Sequence, residues 1–498
     1  MSKTPHQSDV LVIGRGNAAL CAANAAINEG ASVTILESAP EDESGGNSRF
    51  AGGVMRFAYD GGEDLAKLCD LPDQEVTDTE WDSNTVNEFY DDLYRVTNYR
   101  SDPELSEILV TQSLESMIWL RNQGVSFTPN YRHQSAVVEG KRRFFGRMPL
   151  WVVGGGAGLV ADLTKSAANK GVNIFYDTRA VSLLVDEDDR VYGVNARGPD
   201  GRRQFTAKSV VLACGGFEAN PEMRTRYLGP GWELAKVRGS RFNVGDGLRM
   251  ALDIGAAPFG NWSGRHAVSW ELYAPEYGDL TMLESSYRHS FPLSLMINSE
   301  GKRFVDEGIE FYNYTYAKYG AEVLAQPGQF AYQVFDAKTK PLLRPEYGDK
   351  SVTKVVADTL EDLVDKMEGV SREGFLTTVR EFNEGVRTDI PFDHSVKDGR
   401  RTEGLTLNKS NWANQLDTPP FEAYATTCGI TFTFGGVKII PHSGQVLDLK
   451  FNPIEGLYAA GEMVGGIFYF NYPAGTGLVS GTVFGRIAGS GAAQAALA

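Results

Sequence analysis

Glycines and an acid recur in this chain at a spacing that can hold a dinucleotide. Gly14, Gly16 and Ala19 share the turn Gly14-Arg15-Gly16-Asn17-Ala18-Ala19, and Glu37 closes the next apolar run. Gly14 permits a tight turn, Gly16 lets backbone approach a pyrophosphate, and the small Ala19 lets a helix pack on a strand. A helix opening at Asn17 and Ala18 presents free N–H groups to phosphate. Glu37 can accept from ribose hydroxyls and repels a 2′-phosphate. A second glycine group, Ser44-Gly45-Gly46-Asn47-Ser48 followed by Gly52-Gly53, makes poor secondary structure. It suits a loop passing under a flat ring system, with backbone N–H groups available to a flavin. NAD and FAD both use this unit, so the remaining chain must choose between them.

The surrounding elements are those that position such a site. Val10–Ile13 fits a buried parallel strand. An alanine-rich stretch to Glu29 fits a helix ended by Gly30, and Ser32–Leu36 a second strand. Residues 60–145 are acidic and aromatic, with a helix expected over Leu105–Asn122 and no legible chemistry. Gly154–Gly158 precedes a helix expected over Leu159–Lys170. Strands follow at Val172–Tyr176, Ala180–Asp186, Arg190–Arg197 and Gln204–Ala207, with turns between them. A β-meander inserted into a nucleotide domain favours FAD over NAD. Ser209–Gly216, reading SVVLACGG, returns as a strand whose glycine end is where ligands sit in such sheets.

Asp246, between Gly245 and Gly247, opens another helix. From about residue 261 to 433 the glycine-ended strands stop, and a cap is expected with a strand at Ser294–Ile297. The nucleotide domain resumes with a strand reaching Glu462 and ends in a helix over Leu478–Leu497. The expected fold is α/β: a Rossmann-like FAD-binding domain with an inserted β-meander (1–260 and 434–498) and an α+β capping domain (261–433).

The 498 residues carry a net charge of −16, which argues against a nucleic-acid partner but not against an anionic substrate. Cys21, Cys69, Cys214 and Cys428 form no CxxC pair, so no zinc, iron–sulfur or haem attachment is expected, and a reducing compartment is. The start, MSKTPHQSD, carries no apolar leader, and no run of 18 apolar residues predicts a membrane span. A cytoplasmic enzyme with a small-molecule substrate is the expectation.

GRGNAA, Glu37, SGGNS, ACGGF (213–217), GDG (245–247), GKRFVDE (301–307) and YAAGE…GG (458–466) occur in this order. Together they resemble the FAD-dependent fumarate reductase/succinate dehydrogenase flavoprotein superfamily, over essentially the whole chain. The resemblance implies FAD lying across the sheet edge under a mobile cap. Ala180, Ala213, Gly215, Asp246, Glu462, Gly477, Leu478 and Val479 would join the N-terminal motifs in holding it. Some members tether FAD through a histidine before a glycine-rich loop. None lies between His6 and His133, so non-covalent FAD is expected.

Fumarate reductases clamp a dicarboxylate with histidines and arginines. His266 falls where one such histidine is found. The second histidine slot holds Thr431-Phe432-Thr433-Phe434, the slot of the proton-moving arginine holds Phe311-Tyr312, and that of a last arginine holds Tyr472. These replacements resemble the ketone desaturases typified by 3-ketosteroid Δ1-dehydrogenases. There one tyrosine takes a proton from carbon, and another, with a backbone N–H, polarises the ketone. Tyr312 and the Tyr472/Gly475 pair fit those places, Tyr312 with a one-residue offset. The phrasing GNSRF, EFYNYTYAKYG and GITFTFGG is similar to tricarballylate dehydrogenase, although the arginine of that branch is absent at 312.

Desaturation needs a base for one hydrogen and a hydride acceptor for the other. Donors on a ketone oxygen stabilise the developing enolate. A tyrosine ionises near ~10, so a tyrosine base calls for a neighbouring cation or a relay. A shift of about three units corresponds to roughly 4 kcal/mol, within reach of one arginine in a dry site. Arg303 and Arg265 are equal candidates at this stage. Phe432 and the run Phe468-Tyr469-Phe470 read as pocket wall, favouring a partly apolar, cyclic substrate. Three readings stay open: a desaturase forming C=C beside a ketone, on a cyclic keto acid such as 4-oxocyclohexanecarboxylate or a ketosteroid-like compound; a tricarballylate-type dehydrogenase or fumarate-type reductase; and a non-catalytic flavin protein. The electron acceptor is not legible.

Overall fold

The apolar run before Gly14 forms β1 (His6–Ile13), which lies parallel to β2 (Val33–Leu36) with Val10 opposite Val33. Helix α1 (Asn17–Asn28) connects them. The computed structural model describes residues 6–131, 134–350 and 352–498. They group into two compact units. The first runs up to Glu233 and includes Gly239–Arg265 and Phe432–Ala498; the second is Leu234–Arg238 and His266–Thr431.

In the first unit the sheet continues with β3 (Asn173–Phe175), β4 (Arg179–Val185), β5 (Val191–Gly198), β6 (Gly201–Leu212), β7 (Gln445–Leu447) and β8 (Pro453–Ala459). Its order is β7-β8-β6-β1-β2-β3. β4, β5 and β6 form the antiparallel meander. The two strands expected at Gln204–Ala207 and Ser209–Gly216 are one. β6 pairs antiparallel with β5 through Thr206 and parallel with β1 from Phe205 to Leu212. Val10, Leu11 and Val12 and their partners Ser209, Val210 and Val211 are fully buried, as a sheet covered on both faces requires.

Three further helices set the edge of this sheet: α2 (Gly155–Asn169), α3 (Asp246–Asp253) and α4 (Thr476–Leu497). α4 lies against α1 through Gly481, Gly485 and Gly489, spaced one turn apart. A Cβ at Gly485 would stand 2.6 Å from Ala18 O, and one at Gly489 2.2 Å from Ala22 O. The two helices begin side by side, where Asn17 Nδ2 donates to Leu478 O at 2.7 Å. α2 starts at Gly155, earlier than expected, because its glycines serve close packing. A Cβ at Gly156 would lie 1.9 Å from Ser48 O. The helix expected over Leu105–Asn122 is two, Pro103–Thr111 and Ser113–Asn122. At the break, Ser113 Oγ donates to Val110 O and accepts from Ala58 N, which competes with the helical ladder.

The second unit is built on a mixed sheet whose hub is the part of the 17-residue strand Phe421–Val437 that runs up to Thr431. That strand pairs antiparallel with Ala331–Phe335 and Val355–Ala357, and parallel with Lys236–Val237. Leu295–Asn298, the strand expected at 294–297, pairs with Ala331–Phe335. Leu295, Ile297, Val334, Leu363, Phe375, Val379 and Phe382 form its core, under the helices Leu360–Lys366 and Arg372–Gly385. Among the described residues no helix is long and apolar enough to cross a membrane.

Candidate active site

The turn after β1 is a cradle in which side chains have little room. Gly14 has φ +104°, and a Cβ there would stand 2.5 Å from Ala213 O. Gly16 caps α1 without a side-chain bond. Ser48 Oγ accepts from Asn17 N at 2.9 Å. The N–H groups of Ala18 and Ala19 meet no acceptor among the described residues. Glu37, at the end of β2, is buried and accepts from Ala39 N at 2.8 Å. Burial raises its pKa, against the pull of that N–H and of Arg15. Arg15 itself is buried over the ring of Tyr176, donates to Ser44 Oγ at 2.6 Å and Thr164 Oγ1 at 2.8 Å, and leaves Nε without an acceptor among the described residues.

Beyond it, the loop expected to lack structure closes as one helical turn, Gly46–Arg49, after Gly45 at φ +115°. Asn47 Oδ1 accepts from Ser240 N at 2.8 Å and its Nδ2 donates to Glu218 at 2.5 Å, while Asn243 Nδ2 reaches the same Glu218 oxygen at 2.6 Å. A Cβ at Gly52 would meet nothing, whereas Gly53 lies against Gly155. Gly215, at φ +76°, abuts the Asn243 amide. Glu462 accepts from Thr433 N at 2.7 Å and from Thr433 Oγ1 at 3.0 Å. The carboxyl of the fully buried Glu218 neighbours that of the half-buried Glu462. Burial raises both pKa values, Glu218 well above its usual range, with the adjoining carboxylate as the second cause. The neutral form of Glu218 is therefore favoured, its Oε1 accepting from Asn47 and Asn243.

The loop before α4 carries Tyr472 and Gly475. It is tied by Arg56, fully buried and paired with Asp92 at 3.0 Å, whose Nε donates to Ala474 O and whose backbone N–H donates to Gly475 O. Tyr472 stands edge-on to Phe432 and Phe468, with ring centroids 5.3 and 5.4 Å apart. Phe434 completes this wall, and Gly477 faces Phe432 and Tyr472 with room for no more than van der Waals contact. Tyr469 lies outside it, with its ring beside Phe470 and Asp102 and Arg100 nearby. Leu478 and Val479 form the first turn of α4. Ala180 is buried in β4. Asp246, first in α3, is ion-paired with Arg179 at 2.5 Å and with Arg249.

The second unit holds its own aromatic cluster. His289 is stacked between Tyr287 and Tyr312, with centroids 5.1 and 6.1 Å away, and Tyr316 meets His289, His266 and Tyr312 edge-on. His266 is buried, and its pKa is held well below the usual value, by burial first and the charge of Arg238 second. Arg344 covers the Tyr312 ring at 4.8 Å and pairs with Glu346 at 2.6 Å. Of the expected cations, Arg303 pairs with the buried Glu307, and Arg265 covers Trp232.

The profile of the FAD binding domain family matches residues 9–478. The chain belongs to that family. It is an FAD-dependent oxidoreductase of the fumarate reductase and ketosteroid dehydrogenase superfamily. A probable fumarate reductase, Ifc3, of Shewanella frigidimarina is 31% identical, over 98% of this chain and 75% of that protein. A 3-oxosteroid 1-dehydrogenase of Mycolicibacterium smegmatis is 26% identical, over 97% of each. The solved structure of a flavocytochrome c3 fumarate reductase in its open conformation is 28% identical, covers 99% of this chain and 79% of its own, and gives a TM-score of 0.75.

The residues present fit the FAD of this family. The open N–H groups of α1, the unsatisfied Arg15 Nε and the glycine cradle at Gly14 and Gly16 are what a pyrophosphate and its ribose need. Sequence reasoning missed Arg15, Arg56, Glu218, Asn243, Thr433, Arg238, His289 and Arg344. Arg15 and Glu218 lie inside motifs already marked, GRGNAA and ACGGF with its next residue, and were open to notice. Nothing local in the chain points from Arg344 to Tyr312.

Proposed function

We propose that this FAD enzyme is a desaturase that forms a C=C bond beside a ketone, acting on a cyclic keto acid such as 4-oxocyclohexanecarboxylate. The arginine over Tyr312 is the observation that carries this reading. Bound FAD, held non-covalently, supplies the hydride acceptor at N5. Tyr312 accepts the proton from the carbon α to the ketone, and Arg344 stabilises the phenolate that does so. Tyr472 Oη and the Gly475 N–H donate to the ketone oxygen as enolate charge develops. The phenylalanines around Tyr472 exclude water and accommodate a ring.

A second reading, a fumarate-type or polycarboxylate enzyme, is favoured by the 31% identity to the probable fumarate reductase. Incubation with a dye acceptor and 4-oxocyclohexanecarboxylate, a 3-ketosteroid or tricarballylate separates the two. Appearance of a conjugated enone from the keto acid supports desaturation. Turnover of tricarballylate alone overturns it.

A further inference from the structure

Three deeply placed arginines of the second unit have carboxylate partners. Arg288 meets Glu271, Arg303 meets Glu307 and Arg344 meets Glu346. Arg238 is only 7% exposed and has no carboxylate partner among the described residues. Its backbone N–H donates to Ile430 O at 2.8 Å. Its guanidinium lies 4.6 Å from the centroid of Tyr287 and 5.8 Å from that of Trp270, and one N–H reaches Tyr287 Oη at 3.1 Å. Nε is buried with no acceptor among the described residues.

A buried cation without a counter-ion is costly, and aromatic faces compensate it only in part. They do orient it, because a planar guanidinium stacks and a compact ammonium does not. The nearby His266 is kept neutral, so it adds no second positive charge. What is missing at Arg238 is a planar anion able to take two N–H donors.

We infer that Arg238, framed by Tyr287 and Trp270, binds a carboxylate group of the substrate. The inference rests on the reading of the His266–Tyr312 cluster as substrate-facing, and it separates keto acids from neutral ketosteroids. Arg238 is then a specificity residue, and an uncharged ketone of the same shape leaves its charge buried and unanswered.

Calorimetric binding to the holoenzyme tests this with cyclohexanecarboxylate and its methyl ester, neither of which carries the ketone. The acid is expected to bind about 30-fold or more tightly than the ester. Arg238→Gln is expected to abolish that preference while FAD content stays unchanged. Equal binding of acid and ester by the native enzyme, or a preference that survives in Arg238→Gln, overturns the inference. Loss of FAD from a folded Arg238→Gln assigns the arginine to the cofactor and also overturns it. Should that variant not fold, Arg238→Lys is expected to retain charge but lose most of the preference, and full retention counts against the site. An Arg238-dependent preference for the acid, with no desaturation of 4-oxocyclohexanecarboxylate, leaves the carboxylate site standing and removes only the ketone chemistry.

Discussion

Arg344 covers the ring of Tyr312, its guanidinium carbon 4.8 Å from the ring centroid, while its Nε holds Glu346 at 2.6 Å. Burial alone would lower the Arg344 pKa, but Tyr312 and Glu346 outweigh it and the guanidinium is held above its ordinary value. A fixed, fully charged guanidinium thus lies against the ring of the proposed base. Arg344→Gln is therefore expected to lower kcat by about 10²- to 10³-fold with keto-acid substrate, the scale for removing one preorganised electrostatic contact. Unchanged kcat in a folded Arg344→Gln separates the arginine from the chemistry.

Tyr472→Phe removes a donor and leaves the aromatic wall intact. With a ketone substrate, kcat is expected to fall by about 10²-fold with little change in flavin content. If the enzyme instead works on polycarboxylates, the same variant turns over at nearly the native rate. Steady-state kinetics on the two substrate classes decide between these outcomes.

His266 makes stability depend on pH. In the fold its protonation is opposed by burial and by Arg238, whereas an unfolded histidine titrates near ~6.5. Below that pH the unfolded chain binds the proton and the native one does not, so stability falls as pH drops. The slope has a ceiling of about 1.4 kcal/mol per pH unit. His266→Gln is expected to flatten this loss between pH 6.5 and 5, and parallel thermal-unfolding profiles for the two proteins would count against it.

Gly489 tests the packing of the two helices that begin at the cofactor edge. A Cβ there meets Ala22 O at 2.2 Å, and backbone cannot rotate away as a side chain can. Gly489→Ala is expected to cost about 1–3 kcal/mol. It should weaken FAD retention, because α1 must shift. Gly201→Ala serves as control, with open space around it but a strained φ of +95°.

A protonated Glu218 has a spectroscopic signature. A protonated-carboxyl C=O band is expected in the infrared at neutral pH and should vanish in Glu218→Gln. The amide keeps a neutral oxygen able to accept from Asn47 and Asn243, so flavin binding should persist in that variant. Glu218→Asp, which shortens the reach to Asn47 and Asn243, should disturb both.

Local signals were legible in the sequence, and long-range ones were not. Gly14, Gly16, Ala19 and Glu37 report a turn whose requirements lie within one βαβ unit, and the meander announced itself through its turns. The apolar spacing over 105–122 is continuous, and only the Ser113 hydrogen bonds to Val110 and Ala58 reveal the break. Phe421–Val437 escaped notice because a buried central strand has no alternation to display and its partners are remote in sequence. Arg344 and Tyr312 meet only through folding, so no spacing rule could prefer Arg344 to Arg303 or Arg265. The glycines of α4 have their reason in close packing on α1, which no local spacing states.

Anaerobic stopped-flow reduction of the bound flavin by 4-oxocyclohexanecarboxylate tests the central claim most directly. Rapid bleaching of the visible flavin band is expected with the native enzyme, with a loss of about 10²- to 10⁴-fold in Tyr312→Phe. Bleaching at the native rate in Tyr312→Phe, or bleaching by tricarballylate and not by the ketone, would contradict Tyr312 as the base of a ketone desaturase.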